Sequence, residues 1–423
     1  MSHSKTHGDY WGMIGQRDVY LWGAGQQGRG MCRLMERRSL EPKGFIDASG
    51  ALQGGSVFGY PVHSPLEILA RRDGNGSRPF IIVTPFFHQE AIMEQCRQHG
   101  FEPGRDCVSY KEIEPYNYSV DISGVCNLKC ISCPRGSHRD QHPPAGFMSS
   151  EVFGQVLDKV QREDPLVGSL QLYQWGEPLL NPELPDILRI ANAKGIPCAV
   201  SSNLNSNRNL RSVIEAGPAW FRVSLSGVGE RYEKTHTGGR WDLVLANLEA
   251  LAQHRDRLNP DMKTEIFYHL YRDNQGEQLD LVAERCDRLG FEFHPVWAYL
   301  ISLDDVLCYL EGGSLSREAE EAAGLLALSL EEGMALARGQ GRADCLVDRC
   351  ININWDLTVS QCMMFFYRRD NVAKDNFLNY SLEEIVRARR KSDLCRRCRA
   401  QSLHRYCHVY NTLDTHSTEG GKC

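Results

Sequence analysis

The chain has no apolar run near the roughly 18 residues that a membrane-spanning helix requires. Its longest tight apolar stretch, Phe80 to Phe87, is interrupted by Thr84 and Pro85. No apolar segment follows the polar start Met1 to Gly12, which carries His3, His7 and Asp9, so no secretory signal is read there. Positive charge is not in surplus: 48 Lys and Arg stand against 54 Asp and Glu, a net charge of −6. That balance argues against a protein that coats nucleic acid or lies on a membrane surface. Internal repeats and low-complexity tracts are also missing. The expectation is a cytoplasmic protein with neither a membrane nor a nucleic-acid partner. With 423 residues, 42% hydrophobic and 24% charged, the chain can bury a sizeable core. At roughly 150 residues per domain it has room for two to four domains.

Cysteine is what the chain has in excess. Its 16 cysteines are unevenly spread. Cys126, Cys130 and Cys133 lie together, six more fall between Cys345 and Cys407, and Cys423 ends the chain. A secreted disulfide scaffold would be shorter and denser, whereas clustered cysteines in a reducing compartment bind metal or do chemistry. The scattered Cys32, Cys96, Cys107, Cys198, Cys286 and Cys308 read as core residues.

Three segments are expected. Residues 1–115 read as a Rossmann-like module. A short strand, Asp18 to Trp22, runs into Gly23-Ala-Gly25-Gln-Gln-Gly28 and then a helix. A second strand ends in Asp47, 19 residues after Gly28, near the spacing at which such an acid meets a ribose hydroxyl. Glycines there bring backbone N–H groups to a pyrophosphate at a helix N-terminus; the alternative is a docking module whose glycines only let helix and strand pack. Residues 116–310 alternate six strands with five helices, which implies parallel βαβ units in a partial (β/α)6 barrel with its active residues at the strand C-termini. Residues 311–423 read as a small α+β domain whose cysteines flank a strand–turn–strand at 351–360 and a helix from Leu382 to Lys391, after a long helix Arg317 to Ala337. The whole is an α/β protein.

Cys126, Cys130 and Cys133 follow the first barrel strand at the rim where catalysis is expected. Three thiolates cannot complete a four-cysteine site. A [4Fe–4S] cluster held by three cysteines keeps one iron open for a small ligand; a zinc site completed by His138 or His142, and simple core cysteines, are the alternatives. The stretch Cys126-Asn-Leu-Lys-Cys130-Ile-Ser-Cys133-Pro134 resembles the CxxxCxxC signature of the radical SAM superfamily. The resemblance implies an iron–sulfur cluster whose open iron binds S-adenosylmethionine and cleaves it reductively to a 5′-deoxyadenosyl radical. One departure is Ser132, where the family often has an aromatic residue. Trp175-Gly176-Glu177-Pro178 resembles the family's GGEP motif, with Trp in place of the first Gly, and implies that Gly176, Glu177 and Pro178 bind the methionine ammonium. By the same resemblance Ser202 and Asn203 after the third strand, and Ser224 and Ser226 after the fourth, bind the cofactor's ribose and carboxylate. Ser and Asn also favour strand exits for ordinary turn reasons. Asn274 is a weaker candidate.

Near the C-terminus Cys350-x11-Cys362 and Cys395-x2-Cys398 resemble the SPASM/twitch extension of radical SAM enzymes, although Asp356-Leu357 stands where the hairpin glycine is usual. The resemblance implies one auxiliary [4Fe–4S] cluster on these four cysteines. A second would draw on Cys345, Cys407 and Cys423 with His404 or His408, and a zinc ribbon is the alternative. The four Arg from Leu394 to Arg405 are read as a solvated face near a negatively charged cluster. The expected function is hydrogen abstraction from a small metabolite or sugar-type compound, with the auxiliary cluster assisting electron transfer and a flavodoxin or ferredoxin as reductant. A peptide-modifying enzyme and a non-enzymatic zinc-binding module are the alternatives. No catalytic acid or base is assigned: Tyr268, His269, His294 and Trp297 sit on late strands as candidates, and Cys308 as a thiol hydrogen donor.

Overall fold

The computed structural model describes residues 8–413 apart from 15, 51, 73–75, 138–143, 341–344, 346 and 367–370. His138, His142 and Cys423, named above, therefore lie outside the described residues. The chain divides into two compact units. One comprises Met1–Asn117, Val160–Leu170 and Ala191–Cys198; the other comprises Tyr118–Lys159, Gln171–Ile190 and Ala199–Cys423.

The first unit is built on strands β1 (Val19–Trp22), β2 (Gly44–Ile46), β3 (Ser56–Val57), β4 (Tyr60–His63), β5 (Phe80–Val83) and β6 (Cys107–Ser109). Their order is β3-β4-β2-β1-β5-β6, parallel throughout except for the β3–β4 hairpin. The runs VYLW and FIIV carry no polar alternation because both faces are buried, as a parallel strand between helix layers requires. Val19, Leu21, Phe80 and Ile82 enter one core with Met31 and Met35 of helix Gln26–Arg37, while Tyr20, Trp22, Ile81 and Val83 enter the other. Chain order reverses between β1 and β5, the Rossmann-like arrangement that the sequence implied.

The second unit holds most of a nine-stranded sheet. Its members are β7 (Asn117–Asp121), β8 (Leu170–Gln171), β9 (Cys198–Ser202), β10 (Trp220–Leu225), β11 (Lys263–Leu270), β12 (Glu292–Trp297), β13 (Cys350–Asn354), β14 (Val359–Ser360) and β15 (Val372–Lys374). The order is β12-β11-β10-β9-β8-β7-β13-β14-β15, so β7 to β12 lie side by side in chain order with helices between them. The pairs β9–β10, β10–β11 and β11–β12 are parallel. The sheet has free edges at β12 and β15 and does not close, which is the partial barrel anticipated.

The C-terminal hairpin does not make a sheet of its own. β13, β14 and β15 form an antiparallel ladder added beside β7, which covers an edge that would otherwise expose unpaired backbone groups. The expected helix from Arg317 to Ala337 is two helices, Arg317–Ala323 and Leu330–Gly339. Gly324 ends the first, and a capping box of Ser329 with Glu332 starts the second. Between β13 and β14, Leu357 adopts φ +69° at the place where a glycine is usual. Asp356 braces that turn by accepting hydrogen bonds from the Thr358 amide and hydroxyl at 3.1 and 2.7 Å. Among the described residues no helix is long and apolar enough to cross a membrane.

Candidate active site

The loop from Val125 to Cys133 leaves the C-terminal end of β7, and its shape is set by backbone bonds to two distant segments. Lys129 N–H donates to Thr237 O at 2.9 Å, Ile131 N–H to Thr235 O at 3.1 Å, and Ile301 N–H to Ser132 O at 3.1 Å. The loop closes on itself through Cys133 N–H to Cys130 O at 3.1 Å and Gly136 N–H to Cys133 O at 2.8 Å. Position 136 admits only glycine, since a Cβ there would fall 2.2 Å from Cys130 O.

The three thiols converge. Burial pushes the Cys126 thiol up to about 12, with the nearby Glu177 adding to the effect. Burial also holds Cys130 well above its ordinary value, and Cys133 and Cys126 act on it electrostatically. Burial raises Cys133 as well. Three desolvated thiols are inert as nucleophiles but become thiolates beside a bound cation. Among the described residues no set of three or more His, Cys, Asp or Glu side chains is arranged around a single metal ion. A four-iron core is a wider body than one ion, and three convergent thiols on a braced loop fit it.

The turn after β8 meets this loop. Glu177 N–H donates to Val125 O at 2.8 Å. The Arg135 Nε and Nη2 groups donate to Trp175 O at 2.6 Å and Gly124 O at 2.9 Å, locking the turn to the start of the cysteine loop. Gly176 is required by contact, because a Cβ would lie 1.7 Å from Ser123 O. Asp121, in the last position of β7, is fully buried and accepts from Trp175 N–H at 2.9 Å. Burial outweighs that bond and the Arg135 charge and raises the carboxyl to about 6. Trp175 packs edge-to-face on Phe366 at 5.3 Å, which gives a physical reason for an indole where a glycine is usual.

The other sequence candidates fall into two groups. The Glu177 carboxylate, 2% exposed, accepts from Leu179 N–H, Ser202 Oγ and Asn203 N–H at 3.0, 2.8 and 2.8 Å. Burial still raises it to about 6. It thereby ties Gly176, Pro178, Ser202 and Asn203 into one structure. Asn203 Nδ2 reaches 3.7 Å from the Cys126 sulfur. Ser224 is half-buried on the same strand face as Arg222. Ser226 is turned inward: its hydroxyl meets Thr235 Oγ1 at 2.6 Å and His236 Nδ1 at 2.9 Å. Burial lowers His236 to about 3, so it is neutral. Through Thr235 and His236, Ser226 braces the segment that holds Lys129 and Ile131. Asn274 shapes its own turn, its side chain bonding Tyr271 N–H and His269 O.

On β10 and β11 the odd and even positions divide. Leu225 and Ile266 line an apolar hollow against Leu248 and Val282 of the flanking helices. The opposite face carries Arg222, Glu265, Phe267 and His269, and His294 of β12 stacks on Phe267 at 5.5 Å. Arg222 Nε pairs with Glu265 at 2.6 Å. Burial lowers His269 to about 4. Tyr268 belongs to the helix side, its hydroxyl donating to Asn274 O at 2.7 Å. Cys308 is exposed on helix Leu303–Leu310. The residues that sequence reasoning missed are Asp121, Arg135, Arg222, Glu265 and Tyr271. Only Asp121, an acid at the end of a mostly buried strand, left a local signal.

The C-terminal cysteines gather from five elements. Cys350 opens β13, Cys362 follows β14, Cys395 and Cys398 share helix Asp393–Ala400, Cys407 lies on helix Tyr406–Thr412, and Cys345 precedes β13. Beyond burial, the Cys398 thiol is raised by Cys362, Cys345, Cys395 and Cys407, and that of Cys407 by Cys345 and Cys350. Six thiols thus share one neighbourhood, two more than the four assigned from sequence. Buried Arg389 clamps the strands that bear them, donating to Gln361 O, Asp348 O and Val347 O at 2.9, 3.3 and 3.1 Å. Of the four Arg in 394–405, Arg397 pairs with Glu311, while Arg405 is buried rather than solvated.

Comparison with known proteins agrees with this site. Residues 120–286 match the model of the Radical SAM superfamily. An AdoMet-dependent heme synthase of Oleidesulfovibrio alaskensis is 25% identical over 175 residues, covering 40% of this chain and 42% of the relative. A GTP 3′,8-cyclase of Chlorobaculum tepidum is 22% identical over 193 residues, 42% of this chain and 55% of the relative. The match therefore spans about half the length of these curated relatives. Among solved structures, Streptococcus suis SuiB bound to precursor peptide SuiA aligns with a TM-score of 0.44 at 13% identity, covering 71% of this chain and 76% of that one. Residues 120–286 match a radical SAM domain and the matched relatives are named as enzymes, which weighs against the non-enzymatic zinc module.

Proposed function

We propose, from a chain that carries a radical SAM domain, an enzyme that abstracts hydrogen from a small, polar metabolite of sugar type, working with an auxiliary cluster and an external flavodoxin- or ferredoxin-like reductant in a reducing cytoplasm. The observation that carries the reading is the convergence of Cys126, Cys130 and Cys133 on one braced loop, with Asn203 Nδ2 3.7 Å from the Cys126 sulfur. Cys126, Cys130 and Cys133 would hold the radical cluster, and Cys350, Cys362, Cys395 and Cys398, with Cys345 and Cys407 beside them, the auxiliary one. When bound, the clusters and S-adenosylmethionine supply electron transfer and a 5′-deoxyadenosyl radical.

The protein's own part is positioning and exclusion of water. The Gly176–Pro178 backbone and Asn203 orient the cofactor, while Ser202 and Ser226 act from behind, through Glu177 and His236. Ser224, one turn of the alternation above Arg222, faces the substrate side. The Arg222–Glu265 pair, His269 and the Phe267–His294 stack offer hydrogen bonds and an aromatic face without net charge, which favours a hydroxyl-rich ring over an anion. This also suits an N-terminal module of Rossmann type. In that module, however, Asp47 accepts from Ala24 N–H and Ser49 N–H at 2.9 Å each, and a Cβ on Gly28 would fall 1.8 Å from Gly23 O. Close packing therefore accounts for much of its glycine pattern.

The test is anaerobic reconstitution of the full chain, then a mass-spectrometric assay of 5′-deoxyadenosine with deuterated sugars, nucleotide sugars and peptides. Deuterium transfer from a sugar-type compound is the expected result. Transfer from a peptide alone overturns the substrate class, and absence of any S-adenosylmethionine cleavage overturns the reading.

A further inference from the structure

Ser132 occupies the position before the third loop cysteine and is 8% exposed. Its carbonyl accepts from Ile301 N–H, so the residue is fixed. The Tyr271 hydroxyl, from the segment just past β11, donates to Ser132 Oγ at 2.9 Å. Tyr271 is 3% exposed, and its own backbone is held by Asn274 Oδ1 and by a bridge to Leu326. The phenol lies within electrostatic reach of the Cys130 and Cys133 thiols.

The two hydroxyls carry two hydrogens and share one bond. Whichever oxygen donates in that bond, one O–H hydrogen is left over in a buried setting. A buried donor without an acceptor is costly. Ser132 is bonded to Cys133 and lies two residues from Cys130, two of the three thiols that would carry the cluster, and such a cluster accepts hydrogen bonds through its thiolates and sulfides.

Resting on the radical-cluster reading above, we infer that Tyr271 and Ser132 form a two-hydroxyl relay that gives one hydrogen bond to a sulfur of the radical cluster, with Ser132 as donor and Tyr271 as the positioning residue behind it. Such a bond stabilises the reduced, more negative cluster and so raises its reduction potential. The relay is assembled from the segments that follow β7 and β11, which lets a small serine serve at this position of the loop.

The experiment is a redox titration of the reconstituted full chain, followed by electron paramagnetic resonance of the signal that changes on adding S-adenosylmethionine. Ser132→Ala is expected to move the midpoint to more negative potential and Tyr271→Phe to move it less in the same direction. The double variant should match Ser132→Ala, and Ser132→Thr should restore the wild-type value. Unchanged midpoints in both single variants, at full iron content and with an intact response to S-adenosylmethionine, overturn the relay, as does an additive double variant. If Ser132→Ala fails to hold its cluster, Tyr271→Phe, which keeps the ring and its packing, decides alone. A wild-type chain with no responsive signal would instead overturn the cluster reading.

Discussion

The two cysteine-rich regions solve one problem in opposite ways. Cys126, Cys130 and Cys133 sit within eight consecutive residues, and the fold contributes braces: Thr235, Thr237, Ile301, Glu177 and Arg135. The C-terminal thiols come from positions 345 to 407 and have no common loop, so they meet only because β13, β14 and two helices pack together under the Arg389 clamp. A site on one loop is specified by spacing and survives as a pattern. A site built from five elements is specified by packing, and its membership cannot be read from pairs of cysteines. That is why four were assigned from the sequence while Cys345 and Cys407 also lie within electrostatic reach of Cys398.

Removing a thiol from each region tests that contrast. Cys130→Ala should abolish 5′-deoxyadenosine formation, a loss of at least about 10³-fold set by the loss of the metal that carries the chemistry. Residual cleavage near the wild-type rate would break the comparison outright. Cys395→Ala with Cys398→Ala should cost about four irons per chain. It should end substrate turnover yet leave some cofactor cleavage. Replacing Cys345 or Cys407 singly sharpens the point, because a set with two thiols to spare should keep its iron where the loop triad would not.

A smaller effect concerns the brace. His236 is neutral in the fold, lowered by burial to about 3, whereas the unfolded chain titrates near 6.5. The unfolded state binds more protons between those values. Stability from this group is therefore present above about pH 6.5 and lost as pH falls through the window. From pH 7 to pH 5 the unfolding free energy of wild type should drop by about 2 kcal/mol more than that of His236→Gln, measured by urea denaturation of both. Equal slopes would mean the histidine is protonated in place.

The smallest lies in the hairpin of the C-terminal region. Leu357 holds φ +69°, a left-handed conformation that costs an ordinary residue about 1 kcal/mol. Leu357→Gly should leave the melting temperature nearly unchanged, relief of strain offsetting lost packing and chain entropy, while Leu357→Val should lower it. A valine variant as stable as the glycine one would show that the Asp356 brace does not enforce the turn.

Much of the architecture was legible. The βαβ alternation appears as β7 to β12, because apolar runs separated by helical periods leave few other packings. The glycine-rich strand–turn–helix at 18–38 was legible for the same reason. Less legible was the helical stretch 317–337, where the Ser329 and Glu332 capping signal was overlooked. Ser202 and Ser226 are expected as cofactor contacts by resemblance. Their hydroxyls also bond Glu177 and His236, partners 25 and 10 residues away that no local pattern announces.

The sequence alone determined the loop triad, since three thiols at short spacing on a strand exit carry their chemistry in the covalent chain. It also determined the parallel strand order, which hydrophobic periodicity dictates. Only the tertiary structure decided that Tyr271 reaches Ser132, that Arg222 meets Glu265, that the hairpin joins the sheet beside β7, and which thiols gather at the C-terminus. Those are contacts between elements far apart in the chain, and side-chain packing, which chooses among many possible neighbours, leaves no trace in residue spacing.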